Sequence, residues 1–273
     1  MSHKVRVISA LCMIPIVVLA ILYLPTPYLG AVLATLFLAG LYEWAALAHL
    51  KSKPGKLLYL LCNSIAFSLI AYLDDDQHST LIISTCFGGV FWLFILFWLR
   101  NFNFARESNT FNNGLKLVAG SLACIPLWTA LVWLHSSDQG PVWTLIALGL
   151  IAAADSGAYL FGVNFGTHKL APNISPGKSW EGFWGGLVCS ILMALLCMLL
   201  MGSSVLAWKF IILGLLTGLF SVVGDLFESL LKRHAVIKDS SSLIPGHGGL
   251  LDRLDSIFSG LVIFTLVKFW LGV

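Results

Sequence analysis

The sequence predicts an all-α, polytopic integral membrane protein of about nine transmembrane helices with its N-terminus in the cytoplasm. Three observations predict it. Hydrophobic residues make up 58% of the 273 and charged residues only 11%, where a soluble domain carries about a quarter charged. The apolar residues fall into nine runs near the roughly 20 residues that a helix needs to cross a bilayer. The Lys and Arg residues gather in alternate connections, as in a chain that crosses back and forth.

The first run, 5–24, follows Lys4 and Arg6 and imitates a secretory signal. No small-x-small cleavage site follows it, and Pro25 and Pro27 turn the chain straight into the second run, 28–48, so it reads as an uncleaved span. Runs 57–73 and 81–99 flank the acidic turn Asp74, Asp75 and Asp76. An Asn-rich connector over 100–116 leads to 115–135, and a short turn with Asp138 leads to 142–163. The last three runs are 183–202, 205–231 and 250–271. Their continuity excludes the alternating strands of a membrane barrel.

With the N-terminus inside, 14 of the 16 Lys and Arg residues fall on cytoplasmic segments and only Lys209 and Lys268 lie near the other face. Nine alternating spans place the C-terminus outside. The net charge of +3 is too small to suggest nucleic acid as a partner. The six cysteines include no Cys-x-x-Cys pair and read as small core residues, and no His-Glu-x-x-His zinc motif occurs. The chain is expected to form one membrane domain, 1–273, in which 1–140 is scaffold and 141–273 carries the chemistry.

A carboxylate near the centre of a lipid-facing helix costs about 2.5 to 3.5 kcal/mol, so each one asks for a partner or a watery cavity. Glu43, near His49 and Lys51, reads as a structural or snorkelling residue. Asp155 and Tyr159 share a face of the sixth run; Asp155 is either bonded to a neighbouring helix or lines a cavity. Ser221, Asp225, Glu228 and Lys232 are spaced 4, 3 and 4, which puts them on one stripe that cannot face lipid. Gly214 and Gly218 precede it as a Gly-x-x-x-Gly that permits close helix approach. Asp252, Asp255, Ser256 and Ser259 form a second polar face at the start of the last run.

Two acidic helix faces under a basic loop suit a divalent cation and a polyphosphate. Lys232, Arg233, Lys238 and Arg253 surround Pro245 to Gly249 (PGHGG), where Gly246, Gly248 and Gly249 let backbone N–H groups approach phosphate and His247 adds a polar side chain. Lys178 with Ser175 and Ser179 lies in SPGKSWEG, Ser175 to Gly182. A phosphate-binding P-loop is excluded there, because Pro172 stands where its first Gly belongs and the sequence predicts no strand before it. Lys178 reads either as a phosphate contact or as a headgroup anchor.

The run Ser229 to Asp255, SLLKRHAVIKDSSSLIPGHGGLLDRLD, closely resembles the signature of bacterial phosphatidate cytidylyltransferases, also called CDP-diacylglycerol synthases. GDLFESLLKR, ADSGAYLFG and SPGKSWEG resemble the family's other recurring strings. Ser241 departs from a common Gly, and Gly177 and Ser179 from a common Lys and Thr. The resemblance implies transfer of CMP from CTP to phosphatidate with Mg²⁺, one or two ions, in a bacterial inner membrane with the site on the cytoplasmic side, and is compatible with a homodimer. On that footing Asp225 and Asp252 are expected to bind metal, with Glu228 and Asp255 as neighbours or second-metal ligands. Lys232, Arg233, Lys238 and Arg253 would hold the triphosphate or the leaving pyrophosphate, and Lys178 the lipid phosphate or CTP. Other readings are a CTP-dependent polyprenol kinase, and a transporter or cation channel using the intramembrane acids.

Overall fold

A computed structural model describes residues 3–202, 205–241 and 248–273, with side chains from residue 13 onward. Gly246 and His247 lie outside the described residues. The described chain forms nine α-helices: α1 His3–Tyr23, α2 Thr26–Leu47, α3 Lys53–Leu73, α4 Ser79–Arg100, α5 Thr110–Ser136, α6 Gly140–Phe165, α7 Trp180–Leu200, α8 Ala207–His234 and α9 Leu251–Leu271. Among them, α2 to α9 are long and apolar enough to cross a membrane, while the described apolar part of α1 is Met13–Tyr23. The protein is a multi-pass, all-α membrane protein.

Local sequence sets several helix starts. Ser52 caps α3 by accepting the Gly55 N–H, Asn109 caps α5 through Asn112 N–H, and Ser179 caps α7 through Gly182 N–H; each cap satisfies a donor that the first helical turn leaves open. The Asn109 cap starts α5 before Lys116, which the sequence reading placed in the connector. Lys116 is fully buried within the helix. Between α6 and α7 lies a short antiparallel hairpin, β1 Lys169–Ala171 with β2 Ser175–Ser179, so a strand does precede the GKS tripeptide.

The chain divides into two compact units: Met1–Gly88, Asn103–Leu145 and Leu231–Leu254 in the first, and Gly89–Phe102, Ile146–Leu230 and Asp255–Val273 in the second. In the first unit α2 packs on α3 and α5. The Trp44 indole donates to Lys116 O at 2.8 Å and the Trp128 indole to Gly30 O at 2.8 Å. A Cβ at Gly120 would lie 2.6 Å from the Trp44 ring, so only glycine lets the ring lie against α5. His135 bridges Thr26 Oγ1 and Ile21 O, each at 2.9 Å.

In the second unit Phe227 sits edge-on among Phe91, Trp92 and Trp98. The close approach expected at Gly214 is present: a Cβ there would lie 2.9 Å from Ser190 O, and Ser190 Oγ donates to Gly214 O at 2.9 Å. Lys209 donates to Leu271 O, and the buried Lys268 lies over the Phe269 ring.

Apolar side chains cover the outside as well as the inside. On α3 only Asn63 and Phe67 are buried, while Leu57, Leu58, Leu61, Ile65 and Leu69 are exposed. An exposed apolar face of this extent is what hydrocarbon as solvent requires. It also corrects the reading of the cysteines. Cys124 is buried, but Cys62 and Cys86 are exposed, since a small apolar side chain serves equally well against lipid.

Candidate active site

The second unit collects three aspartates from three helices: Asp155 of α6, Asp225 of α8 and Asp255 of α9. Asp155 and Asp255 both feel the Asp225 charge, and both feel the Lys178 ammonium. Lys178 Nζ lies 2.5 Å from Asp225 Oδ2. Ser256 supports the acids, its N–H donating to Asp255 Oδ1 at 2.8 Å and its hydroxyl reaching Asp155. Ser229 Oγ stands 3.4 Å from Asp225 Oδ1.

The local chain explains how these groups come together. Gly224 immediately precedes Asp225, and a Cβ there would lie 2.3 Å from Asp255 O and 2.5 Å from Ser259 Oγ. Any larger residue would force α8 and α9 apart and separate the two carboxylates. Lys178 is carried by the hairpin, in which Lys169 pairs with Ser179 and Ala171 with Ser175. Glu181, in the first turn of α7, ties the hairpin base down by accepting from Thr167 Oγ1 at 2.6 Å and His168 N at 3.2 Å. Ser179 is the α7 cap and is buried.

Three carboxyl groups share one lysine, an arrangement that favours binding of a further cation. Among the described residues, no three His, Cys, Asp or Glu side chains form a ready metal cage. Mg²⁺ does not need one, because it is commonly held by one or two carboxylates together with substrate phosphates and water. The hard oxygen donors of this cluster therefore fit the ion.

The first unit holds a second polar cluster at the two ends of the connection between α8 and α9. Asp252 Oδ1 accepts from Lys232 Nζ at 2.8 Å, and Oδ2 accepts from Gly249 N at 2.8 Å and from Ser240 N and Oγ, each at 3.0 Å. Glu43, from α2, joins the same network through Ser240, Ser241, Leu250 and Leu251. Gly248 has a φ of +85°, the left-handed region that favours glycine, and a Cβ there would lie 2.7 Å from Asp252 Oδ2. A cavity of about 570 Å³ opens beside Tyr42, Glu43, Lys56, Ser240 and Ser241.

Other residues expected at the site are placed as follows. Tyr159 is largely exposed and Glu228 is buried. Arg233, Lys238 and Arg253 are exposed, and Ser175 opens β2. The residue that sequence reasoning assigned elsewhere is Glu43. Its signal was present, a lone carboxylate in an otherwise apolar span, but its partners lie about 200 residues further along the chain.

A model of the cytidylyltransferase family matches residues 4–270. A phosphatidate cytidylyltransferase of Haemophilus influenzae is 33% identical, covering 98% of this chain and 99% of that protein. One from Pseudomonas aeruginosa is 32% identical over 98% of each. One from Staphylococcus saprophyticus is 41% identical over 133 residues, 49% of this chain and 51% of its own.

Proposed function

Since the chain belongs to the cytidylyltransferase family, we propose that it is a phosphatidate cytidylyltransferase, joining CTP and phosphatidate to give CDP-diacylglycerol and pyrophosphate. The observation that carries the reading is the Asp155, Asp225 and Asp255 cluster with Lys178. All four of the sequence strings that resemble the family contribute a residue there, and the family match covers all of them.

An oxygen of the phosphatidate phosphomonoester attacks the α-phosphorus of CTP. The new P–O bond forms as the bond to the bridging oxygen breaks, and pyrophosphate leaves with that oxygen. Both reactants are anions, so the protein's contribution is alignment and neutralisation rather than a covalent nucleophile. Asp225, with Asp155 or Asp255 as its partner, is assigned to Mg²⁺, with Glu228 as the further candidate on α8. When bound, the ion supplies positive charge to the phosphate oxygens.

Asp252, expected from sequence to share that task, has both oxygens engaged by Lys232, Ser240 and Gly249, and is assigned to holding Lys232 in place. Lys232, Arg233, Lys238 and Arg253 balance the triphosphate. Lys178 exchanges Asp225 for a substrate phosphate. The catalytic half is assigned to 141–273, and the basic connections support a site on the cytoplasmic side of the bacterial inner membrane, where soluble CTP would meet its lipid partner. Assembly as a homodimer is a further expectation, read by the mass of the protein in detergent.

The test uses purified protein in mixed micelles with phosphatidate, Mg²⁺ and CTP labelled separately at the α- and γ-phosphates. α-Label is expected in lipid with pyrophosphate released, and chelation of divalent ions should stop transfer until Mg²⁺ is returned. γ-Label in lipid would make the chain a kinase and overturn the assignment. No transfer of either label would also overturn it.

A further inference from the structure

We propose that Glu43 is a positioning residue of the transfer site: its carboxylate clamps the two described ends of the α8–α9 connection and, through Ser240, holds the Asp252–Lys232 pair in register. This inference rests on the cytidylyltransferase reading above.

Glu43 is 4% exposed and accepts four hydrogen bonds from the described residues. Ser241 Oγ donates to Oε1 at 2.6 Å and Leu250 N to Oε1 at 3.0 Å; Ser240 Oγ and Leu251 N donate to Oε2, each at 3.0 Å. Two donors precede the connection's middle and two follow it, so one carboxylate on α2 fixes the distance between them. Ser240 Oγ stands 3.0 Å from both Glu43 Oε2 and Asp252 Oδ2. Its single proton serves one at a time, which links the two carboxylates through one hydroxyl.

The space is closed around this contact. A Cβ at Gly249 would lie 1.9 Å from Ser240 Oγ and 2.6 Å from Glu43 Oε2. Among the described residues no lysine or arginine forms an ion pair with Glu43; its charge is met by two hydroxyls and two N–H groups at the start of α9. Charge-assisted bonds of this kind are shorter and stronger than neutral ones, and the helix N-terminus favours the anion. The arrangement therefore selects for both the charge and the length of glutamate. Gln keeps one acceptor oxygen and turns an NH₂ towards donors.

Two features separate positioning from simple support of the fold. Every donor to Glu43 belongs to the segment that carries Lys238 and Asp252, not to the helix on which α2 packs. That packing is secured by the neighbouring residue, Trp44, through Lys116 O.

The experiment compares wild type, Glu43→Gln, Glu43→Asp, Ser241→Ala and Glu43→Gln with Ser241→Ala, each taken as the monodisperse detergent fraction. Two readouts are made: KM for CTP and for phosphatidate, and the rate of tryptic cleavage after Lys238. Glu43→Gln should raise KM for CTP about tenfold or more, leave KM for phosphatidate within about twofold, and speed cleavage. Glu43→Asp should recover part of the loss. Ser241→Ala should have a smaller effect that largely disappears in the Glu43→Gln background.

Wild-type values for Glu43→Gln in both readouts would overturn the inference while leaving the enzyme reading intact. A lower folded yield with unchanged KM and cleavage rate would make Glu43 a fold residue and overturn it too. If wild type transfers no label, the enzyme reading fails, and an unchanged cleavage rate would then dispose of the clamp as well.

Discussion

Lys178 Nζ and Asp225 Oδ2 lie 2.5 Å apart, joining the hairpin between α6 and α7 to the polar stripe of α8. Both side chains are about a quarter exposed, so the pair is not an exposed surface bridge of negligible consequence. It is also not isolated, because the Asp155 and Asp255 carboxyl groups interact with the same lysine. In the proposed reaction the lysine holds the place of a cation until substrate arrives.

Substitution at that pair should be non-additive. Asp225→Asn should lower kcat/KM by about a thousandfold or more, and Lys178→Ala by about ten- to a hundredfold. The double variant should be little worse than Asp225→Asn alone, as for groups that act as a unit. Initial rates across the four proteins check this, and fully additive losses would separate the two roles.

Lys232 and Asp252 should behave differently. Lys232→Ala leaves the Asp252 carboxylate with its Ser240 and Gly249 donors, so the protein should remain folded while kcat/KM for CTP falls about a hundredfold. Asp252→Asn should lose activity and also become more sensitive to trypsin after Lys238, because the same oxygen anchors both ends of the connection. Equal protease sensitivity in the two variants would remove the anchoring role from Asp252.

A pH response follows from His49. Its imidazole is half-buried beyond the end of α2, donates to the His234 backbone, and is held below its ordinary pKa of 6.5 by burial first and by the charge of Lys116 second. The folded state refuses a proton that the unfolded state accepts. Stability is therefore present above about pH 6.5 and declines as pH falls below it. His49 has a φ of 57°, a conformation asparagine tolerates, so His49→Asn is the suitable variant. Its Tm should change less than that of wild type between about pH 7 and about pH 5.5, in otherwise identical detergent. A parallel decline in both proteins would assign the response to other groups.

The helices were legible because each is a local fact. An apolar run of sufficient length, a Ser52, Asn109 or Ser179 cap and a flanking cation need no distant partner to act. The stripe of Ser221, Asp225, Glu228 and Lys232 follows from helical periodicity alone, and the GD string is now explained by the closeness of Gly224 to Asp255 O. The hairpin at Lys169–Ala171 and Ser175–Ser179 was not visible, since strands of three and five residues, the second carrying Pro176 and Gly177, show no alternating pattern and form only by pairing with each other.

What the sequence by itself determined was the membrane class, the helical architecture, the family and the pool of charged residues from which the site is drawn, because hydropathy, periodicity and motif spacing are properties of neighbouring residues. What only the tertiary structure decided was who meets whom: Lys178 with Asp225, Lys232 with Asp252, and Glu43 with Ser240, Ser241, Leu250 and Leu251. A carboxylate away from water takes whichever donors the packing of distant helices delivers to it. That choice is made by the fold and not by any stretch of chain on its own.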